Sequence, residues 1–290
     1  MSRELAFIEA LRRMATHPAA RHFDDDCAVV ELGGEALVLT HDMMAEGVHY
    51  LPDQDPADVA WKLVTVNISD LVAKGAEPMG VLLGYMFGKD DLRFIEGLEE
   101  ALTYYNVPLL GGDTVSGKGA QALGLTAIGK ATHRPVPSRG GAAPDDIVYV
   151  TGPVGAAMMG YEALQSGSGD SEAYRRPRAL VAQGQALAPH VTAMMDISDG
   201  VLLDACRMAR ASGVTFEMDA SAVPIAAPEE KRAAALRWGD DYQLLFTAPT
   251  GRKLPVPATA IGRAVSSGET PLMLDGIPLS EKDELGYQHR

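Results

Sequence analysis

The sequence is poor in the residues that build disulfide-rich, metal-thiolate or membrane proteins. Its 290 residues include two cysteines, Cys27 and Cys206, which lie far apart along the chain. So few cysteines exclude a disulfide framework and a cysteine-based zinc site, and they suit a reducing compartment. No stretch reaches the roughly 18 uninterrupted apolar residues of a membrane-spanning helix, and the N-terminus lacks the apolar core of a signal peptide. We therefore expect a cytoplasmic protein with no membrane partner.

Basic residues are also scarce. The chain has 25 lysines and arginines against 39 acidic residues, which gives a formal net charge of −14. This charge argues against nucleic acid or an anionic membrane surface as the main partner, because both would repel it. Apolar residues make up 47% of the chain, enough for a sizeable core in one large domain or two ordinary ones. An anionic substrate would need cations to bind to such a protein.

Helical and strand patterns alternate along both halves of the chain, which predicts a mixed α/β fold. Residues 133–146 concentrate proline and glycine with little apolar content, a composition typical of a linker. We therefore place a domain boundary there and expect an N-terminal domain of residues 1–137 and a C-terminal domain of residues 138–290. The polar stretch of residues 166–177 is expected to be a mobile surface loop.

Two glycine-rich stretches are similar to nucleotide-binding motifs but do not satisfy them. Residues 112–119 read GDTVSGKG and lack the serine or threonine that binds magnesium at the end of a P-loop. The residues that follow read as a strand, whereas a P-loop leads into a helix. Residues 151–160 read TGPVGAAMMG, without the spacing of the dinucleotide-binding fingerprint. We reject a P-loop for the first stretch and favour a tight turn for the second.

Acidic residues stand beside glycine, serine or threonine at the ends of apolar segments in five places. These are residues 24–26 (DDD), 40–42 (THD), 67–70 (NISD), 111–114 (GGDT) and 196–199 (DISD). Each alone has an ordinary structural explanation: Asp199 could cap a helix, and Asp113 could stabilise a turn. Together they predict carboxylates at one edge of an α/β sheet, where their mutual repulsion requires cations. Oxygen ligands without thiolates or a paired-histidine motif favour Mg²⁺, which also binds substrate phosphates.

In this order the acidic clusters make the chain resemble the thiamine-monophosphate kinase family, within the superfamily of aminoimidazole ribonucleotide synthetase. The resemblance runs over nearly the whole chain and includes the motifs DDDCAVV, THDMMAEGVHY, DPADVAWKLVTVNISDLVAKGAEP, GGDT, DDIVYVTGPVG, MDISDGVLLD and WGDDYQLLF. It implies a two-domain α/β architecture with mixed sheets. The N-terminal sheet domain would pair with its copy in a homodimer, and a C-terminal α/β domain would follow it.

The resemblance also implies a reaction, the direct in-line transfer of the γ-phosphoryl group of ATP to thiamine monophosphate. The product, thiamine diphosphate, would form in the last step of its biosynthesis. Several Mg²⁺ ions would assist the transfer, and K⁺ is a further candidate cofactor. No residue is expected to act as a covalent nucleophile, because positioning and charge neutralisation suffice for phosphoryl transfer.

Site residues carry over from the family by position. The implied metal ligands are Asp25, Thr40, His41, Asp42, Asp70, Asp113, Asp196 and Asp199. The implied ATP contacts are Gly112, Asp113, Arg139 and Ser198. The implied contacts to thiamine phosphate are His49, Asp240 and Tyr287. For His41 the backbone carbonyl is the expected donor, because an imidazole is a poorer Mg²⁺ ligand than an oxygen atom.

Four positions depart from the family pattern. Asp24 replaces a glycine, His41 a hydroxyl residue, Asp240 a longer acid and Gln243 an acid. Two alternatives stay open. One is another ATP-dependent enzyme of the superfamily, acting on a ribonucleotide amide, a carbamoyl group or selenide. The other, motivated by these four departures, is a catalytically weakened sensor of a nucleotide or a metal.

Overall fold

The computed structural model describes residues 3–288 and contains two mixed sheets, one in each half of the chain. The elements of the N-terminal half are α1 (Arg3–Arg12), a 3₁₀ helix (Pro18–Phe23), β1 (Ala28–Leu32), β2 (Glu35–Ala45), α2 (Pro56–Ala73), β3 (Ala76–Met86), α3 (Asp91–Tyr105), β4 (Leu109–Val115) and β5 (Ala122–Ala131). Its sheet has the strand order β1-β2-β5-β3-β4. All neighbouring pairs are antiparallel except β3 and β4, which are parallel. Because β4 runs into β5 rather than into a helix, the rejection of a P-loop is confirmed.

The second sheet has seven strands in the order β12-β11-β8-β10-β6-β9-β7. Its elements are β6 (Asp146–Val150), α4 (Ala156–Ser166), α5 (Glu172–Arg175), α6 (Val181–Leu187), β7 (Ala193–Asp196), α7 (Val201–Ser212), β8 (Val214–Met218), a 3₁₀ helix (Glu229–Lys231), α8 (Arg232–Trp238), β9 (Leu244–Pro249), β10 (Thr259–Ser266), β11 (Leu272–Leu274) and β12 (Ile277–Leu279). The prediction of a mixed α/β fold is confirmed. The domain boundary at residue 137 stays a prediction, because one core cluster takes residues from both halves, among them Leu71 and Phe246.

Helix α2 lies at the centre of the molecule. Its first turn follows Asp55, whose side chain accepts a hydrogen bond from the Ala57 amide at 3.0 Å and so caps the helix. Every residue from Ala57 to Ala73 is buried, since α2 contacts β2 and β5 of its own sheet and also α6 and β7 of the second half. A helix buried all round must find partners for its polar side chains inside the protein. These side chains build the site described below.

The expectation of a mobile polar loop at residues 166–177 is wrong for its second part. Residues Glu172–Arg175 form the short helix α5, in which Tyr174 is buried. The reason is electrostatic, because the guanidinium groups of Arg175 and Arg176 both pair with the buried carboxylate of Asp58 on α2. The polar composition that suggested a solvated loop therefore serves to neutralise a buried charge.

Candidate active site

Side chains of α2 tie the two halves of the protein together. The Asp70 carboxylate accepts a hydrogen bond from the Thr40 hydroxyl on β2. The hydroxyl of the preceding residue, Ser69, donates a hydrogen bond to the Asp196 carboxylate at the end of β7. Both carboxylates are buried. The helix thus fixes a strand of each sheet against a pair of neighbouring acids.

Three carboxylates converge at this point. Oxygen atoms of Asp26, Asp70 and Asp196 all lie within 4.8 Å of one another. They come from the turn before β1, from α2 and from the end of β7, so the fold and not local sequence brings them together. We call them the central carboxylates. A cluster of hard oxygen donors of this size fits a divalent cation such as Mg²⁺.

The charge of this region is only partly compensated by protein cations. Burial, together with the neighbouring Asp42 and Asp196, raises the pKa of Asp70 well above its ordinary value. Burial and the charge of Asp26 raise the pKa of Asp196 to about 7. Burial, Asp26 and Asp199 likewise raise the pKa of Asp42 to about 6. Carboxyl groups in such surroundings fit a bound cation, which would stabilise their ionised forms.

The metal role of Asp25 stays a prediction, because the structure pairs this residue with protein cations. Asp25 does not belong to the central carboxylates, because its oxygens pair with the Lys74 ammonium and the Arg21 guanidinium. Burial alone would raise the pKa of Asp25, but these cations, Lys74 first, outweigh it and lower the pKa. Its neighbour Asp26 faces the site instead. In a run of three aspartates, sequence position alone does not tell which side chain points inward.

Strand β2 presents Thr40 and Asp42 to the site and turns His41 away from it. Side chains alternate along a strand, and the exposed His41 ring has its Nδ1 atom 2.9 Å from the Thr126 hydroxyl on the outer face of the sheet. The Asp42 amide donates to the Asn67 side-chain oxygen at 2.8 Å, which holds β2 against α2. The His41 imidazole therefore lies outside the site, and its predicted role remains restricted to the backbone carbonyl.

Asp199 lies just beyond the central carboxylates and is paired with a cation. Its carboxylate contacts the Arg207 guanidinium of α7, and its amide donates to the buried Asp204 carboxylate at 3.1 Å. Ser198 beside it is exposed. The predicted metal role of Asp199 and ATP role of Ser198 stay predictions. Sequence reasoning missed Arg207 and Asp204, which follow on the first turns of the same helix.

Arg139 reaches the central carboxylates from the connection between the two sheets. Its guanidinium pairs with Asp26, and its amide donates to Asp25 at 3.2 Å. The buried Nε atom of the same side chain has no hydrogen-bond partner among residues 3–288. A buried, unpartnered guanidinium N–H beside acidic ligands fits the predicted contact to a phosphate group.

The structure does not bring Asp113 to the central carboxylates. Gly112 and Asp113 lie in β4, an edge strand whose seven residues are all exposed. Asp113 pairs with Gly84, which pairs with Gly124, and Gly124 pairs with Met43. Residues paired across strands share a face, so Asp113 lies on the outer face of the sheet. Its metal and ATP roles stay predictions.

A second cluster gathers around a buried lysine of α2. The Lys62 ammonium donates to Asp240 at 2.7 Å and to the His49 carbonyl at 3.0 Å, and it lies 4.2 Å from the centre of the Tyr174 ring. The other Asp240 oxygen accepts a hydrogen bond from Tyr242 at 2.8 Å. Two of the predicted contacts to thiamine phosphate, His49 and Asp240, therefore share one cation. Neither Lys62 nor Tyr174 was predicted as a residue of the site.

The C-terminal tail completes this cluster. The Tyr287 amide donates to the Asp199 carbonyl at 2.9 Å, and its ring lies 6.5 Å from the His49 ring in an edge-on arrangement. The Asp240 amide donates to the Ser198 carbonyl at 2.8 Å. All three predicted contacts to thiamine phosphate thus lie together, anchored on the backbone that directly follows the central carboxylate of Asp196.

The sequence contains a pattern that indicates the two buried lysines, Lys62 and Lys74. Lys62, Asp70 and Lys74 are separated by multiples of four residues, which places them on one side of α2. A lysine in an otherwise apolar buried helix needs an acidic partner. The pattern therefore indicates a polar stripe along α2, although it does not name the partners.

Known proteins are similar to this chain over most of its length. Residues 24–131 match the N-terminal domain of AIR synthase related proteins, and residues 143–269 match the C-terminal domain. The thiamine-monophosphate kinase of Salmonella typhimurium strain LT2 is 33% identical, over 91% of this chain and 90% of that protein. That of Aquifex aeolicus is 32% identical, over 91% and 92%. The chain belongs to the thiamine-monophosphate kinase family. The predicted family and two-domain fold are confirmed.

Solved structures of the thiamine-monophosphate kinase family superpose closely. AaThiL complexed with AMPPCP and TMP has a TM-score of 0.85 at 29% identity, covering 95% of this chain and 94% of that one. The kinase from Stenotrophomonas maltophilia K279a has a TM-score of 0.76 at 28% identity, covering 94% and 96%. The hydrogenase maturation protein HypE, at 18% identity and a TM-score of 0.70, shares the fold. Within residues 3–288, no helix has the length and apolar character to cross a membrane.

Proposed function

We propose that this protein transfers the γ-phosphoryl group of ATP to thiamine monophosphate, with Mg²⁺ held by the central carboxylates. One observation carries the proposal. Asp26, Asp70 and Asp196 converge beside the Arg139 guanidinium, and the backbone after Asp196 anchors the cluster of His49, Asp240 and Tyr287. The candidate cation site thus adjoins both the arginine expected to bind phosphate and the residues expected at the thiamine end. Support also comes from AaThiL, which is complexed with the ATP analogue AMPPCP and with TMP.

The chain's own residues bring two anionic substrates together. In the reaction, an oxygen of the thiamine phosphate forms a bond to the γ-phosphorus as the bond to the β,γ-bridging oxygen breaks, and ADP leaves. Arg139 would donate hydrogen bonds to the phosphates, while Thr40 and Ser69 orient Asp70 and Asp196. When bound, Mg²⁺ supplies the positive charge that neutralises the transferring group. The attacking phosphate oxygen is already ionised, so no protein base is required.

We also propose a homodimer formed through the outer face of the N-terminal sheet. Apolar side chains are exposed on this face or beside it, including Met43, Leu82 and Leu110. Exposed apolar surface on a sheet is typical of a protein interface. Asp113 lies on this face and Gly112 precedes it in the same exposed edge strand, so their predicted ATP contacts would be close to the interface.

The function is tested by chromatography of thiamine species after incubation with Mg-ATP and thiamine monophosphate. We expect thiamine diphosphate and an equal amount of ADP, and no product when EDTA is present. Unphosphorylated thiamine is the control acceptor and should give no ADP. ADP release with a ribonucleotide amide, a carbamoyl compound or selenide, and none with thiamine monophosphate, would contradict the proposal. So would Mg-ATP binding without turnover.

A further inference from the structure

Lys74 places a positive charge among four buried acids, which we call the carboxylate assembly: Asp25 and the central carboxylates. It directly follows the last residue of α2 as the C-cap, and its side chain is wholly buried. The ammonium contacts an oxygen of Asp25, lies 2.9 Å from Asp26 Oδ2 and 3.3 Å from the Met194 carbonyl oxygen. Three acceptors use all three N–H groups. The ammonium is therefore held in place like a bound ion, with oxygen ligands from the turn before β1 and from β7.

The protein cations are distributed unevenly among the buried acids. Asp25 and Asp26 are paired with Lys74, Arg21 and Arg139. The other two central carboxylates, Asp70 and Asp196, receive hydrogen bonds from the hydroxyl groups of Thr40 and Ser69. Neutral hydroxyl groups do not balance a buried negative charge. The assembly is thus neutralised by the chain on one side and needs added cations on the other.

Lys74 and Lys62, the two buried lysines of this region, differ in the acids they pair with. Lys62 pairs with Asp240, in the cluster around His49. Lys74 pairs with Asp26, one of the central carboxylates themselves. An ammonium on an oxygen of a metal ligand competes with a metal ion for that oxygen, because both are cations that need the same lone pairs.

We propose that the Lys74 ammonium stands in for one divalent cation at Asp25 and Asp26, so that the chain binds one ion fewer than its carboxylates would bind without it. This inference rests on the proposed function, in that the central carboxylates hold metal ions. It adds that one of the cations of the site is built into the chain. The covalent cation is present at every metal concentration, so this part of the assembly is organised before ATP arrives.

The test counts ions and does not depend on turnover. Lys74→Met removes the ammonium and keeps the length of the side chain. Bound Mn²⁺ per chain is measured with AMPPCP present, from the paramagnetic resonance signal of the free ion. We expect Lys74→Met to bind one more Mn²⁺ per chain than the parent protein. Lys62→Met is the matched control, since it removes a buried positive charge from the same helix, and it should bind the same number as the parent.

Folding is followed in parallel by thermal denaturation. We expect Lys74→Met to melt at a lower temperature than the parent without divalent ions, and to gain more in melting temperature when Mn²⁺ is added. If this variant does not fold, Lys74→Gln is used, because the amide still donates hydrogen bonds to Asp25 while carrying no charge. It should also gain one ion.

The outcomes separate this inference from the proposed function. An unchanged or smaller number of ions in the folded Lys74 variants overturns the inference, because Lys74 would then only orient its neighbours. If the parent itself binds no Mn²⁺ with AMPPCP, the metal assignment of the proposed function fails, and this inference fails with it. If the parent binds ions and only the gain is missing, the proposed function stands and the role of Lys74 does not.

Discussion

At the scale of single residues, neighbouring aspartates of this site have opposite electrostatic surroundings. Asp70 and Asp196 have raised pKa values because burial and nearby acids disfavour their ionised forms. Asp25 has a lowered pKa, since Lys74 and Arg21 outweigh the effect of its burial. Asp70 and Asp196 are therefore suited to bind an added cation, whereas Asp25 is already paired with two cationic side chains. This difference leads to opposite predictions for the same substitution.

Asp70→Asn and Asp196→Asn should each lower turnover by orders of magnitude and leave the fold intact. Each change removes a negative charge from the metal site, and neither leaves a buried cation without its partner. Asp25→Asn is the matched control. It should lower the free energy of unfolding by about 3–5 kcal/mol, because it breaks a buried ion pair. Steady-state kinetics and denaturant melts measure both effects, and near-parent turnover in Asp70→Asn or Asp196→Asn would contradict the metal assignment.

Lys62→Met should weaken binding of thiamine monophosphate and leave binding of ATP nearly unchanged. The Lys62 ammonium holds Asp240 and the His49 carbonyl in place, and loss of one partner of a buried charge pair costs about 2–5 kcal/mol. We expect KM for thiamine monophosphate to rise by about tenfold or more. Tyr242→Phe, which removes the hydrogen bond to the other Asp240 oxygen, should have a smaller effect. An equal rise in both KM values would argue against a substrate-specific role.

The residue scale is also where prediction from sequence was least complete. The motif 24–26 indicated an acidic ligand but led to Asp25, whereas Asp26 faces the site. Three successive aspartates share the same chemistry, and the turn that orients them depends on Lys74 and Arg139, far along the chain. His49, Asp240 and Tyr287 lie near one another in the structure, and Lys62, which holds two of them, was missed.

At the scale of elements, α2 decides the layout of the site. Its start was predictable to within one turn, because Asp55 and Asp58 were both candidate caps, and its length was predictable from the apolar pattern. The short β11 and β12 strands were not predicted, because three residues each are too few to show an alternating pattern. Helix α5 was missed because its stability comes from Asp58 on α2, a tertiary contact that local composition does not contain.

Asp58→Ala should loosen α5. The substitution leaves Arg175 and Arg176 without the buried carboxylate that holds them, and it should lower the free energy of unfolding by about 1–3 kcal/mol. Trypsin should then cleave after Arg175 faster than in the parent, whereas the bond after Arg176 precedes Pro177 and resists trypsin. Glu172→Ala is the control, because its pair with Arg178 is exposed and contributes less than about 1 kcal/mol. Equal cleavage rates for both variants would show that Asp58 does not hold this segment.

At the scale of the whole molecule, the order of the motifs indicated the family, and the resemblance to that family implied the two-domain architecture. The exposure of β4 and of the outer sheet face did not follow, because strand periodicity does not reveal whether a second chain covers a sheet. The same limit applies to Asp113, whose position away from the central carboxylates depends on the register of four strands.

Leu82→Asp should convert the proposed homodimer into a monomer. Leu82 is 38% exposed on the outer sheet face, and a charge there would be buried without a partner in the interface. Leu92→Asp is the control, since Leu92 is 75% exposed on α3. Sedimentation velocity at micromolar concentration should show a dimer for the parent and for Leu92→Asp, and a monomer for Leu82→Asp. A parent protein that sediments only as a monomer would refute the dimer.

The most direct measurement is a crystal structure with Mn²⁺, AMPPCP and thiamine monophosphate, in which anomalous scattering locates the ions. We expect at least one anomalous peak bounded by oxygens of Asp26, Asp70 and Asp196, with the γ-phosphate and the thiamine phosphate next to each other beside it. Asp25 should remain paired with Lys74. Ions bound elsewhere while these three carboxylates hold none would contradict the proposed catalytic site.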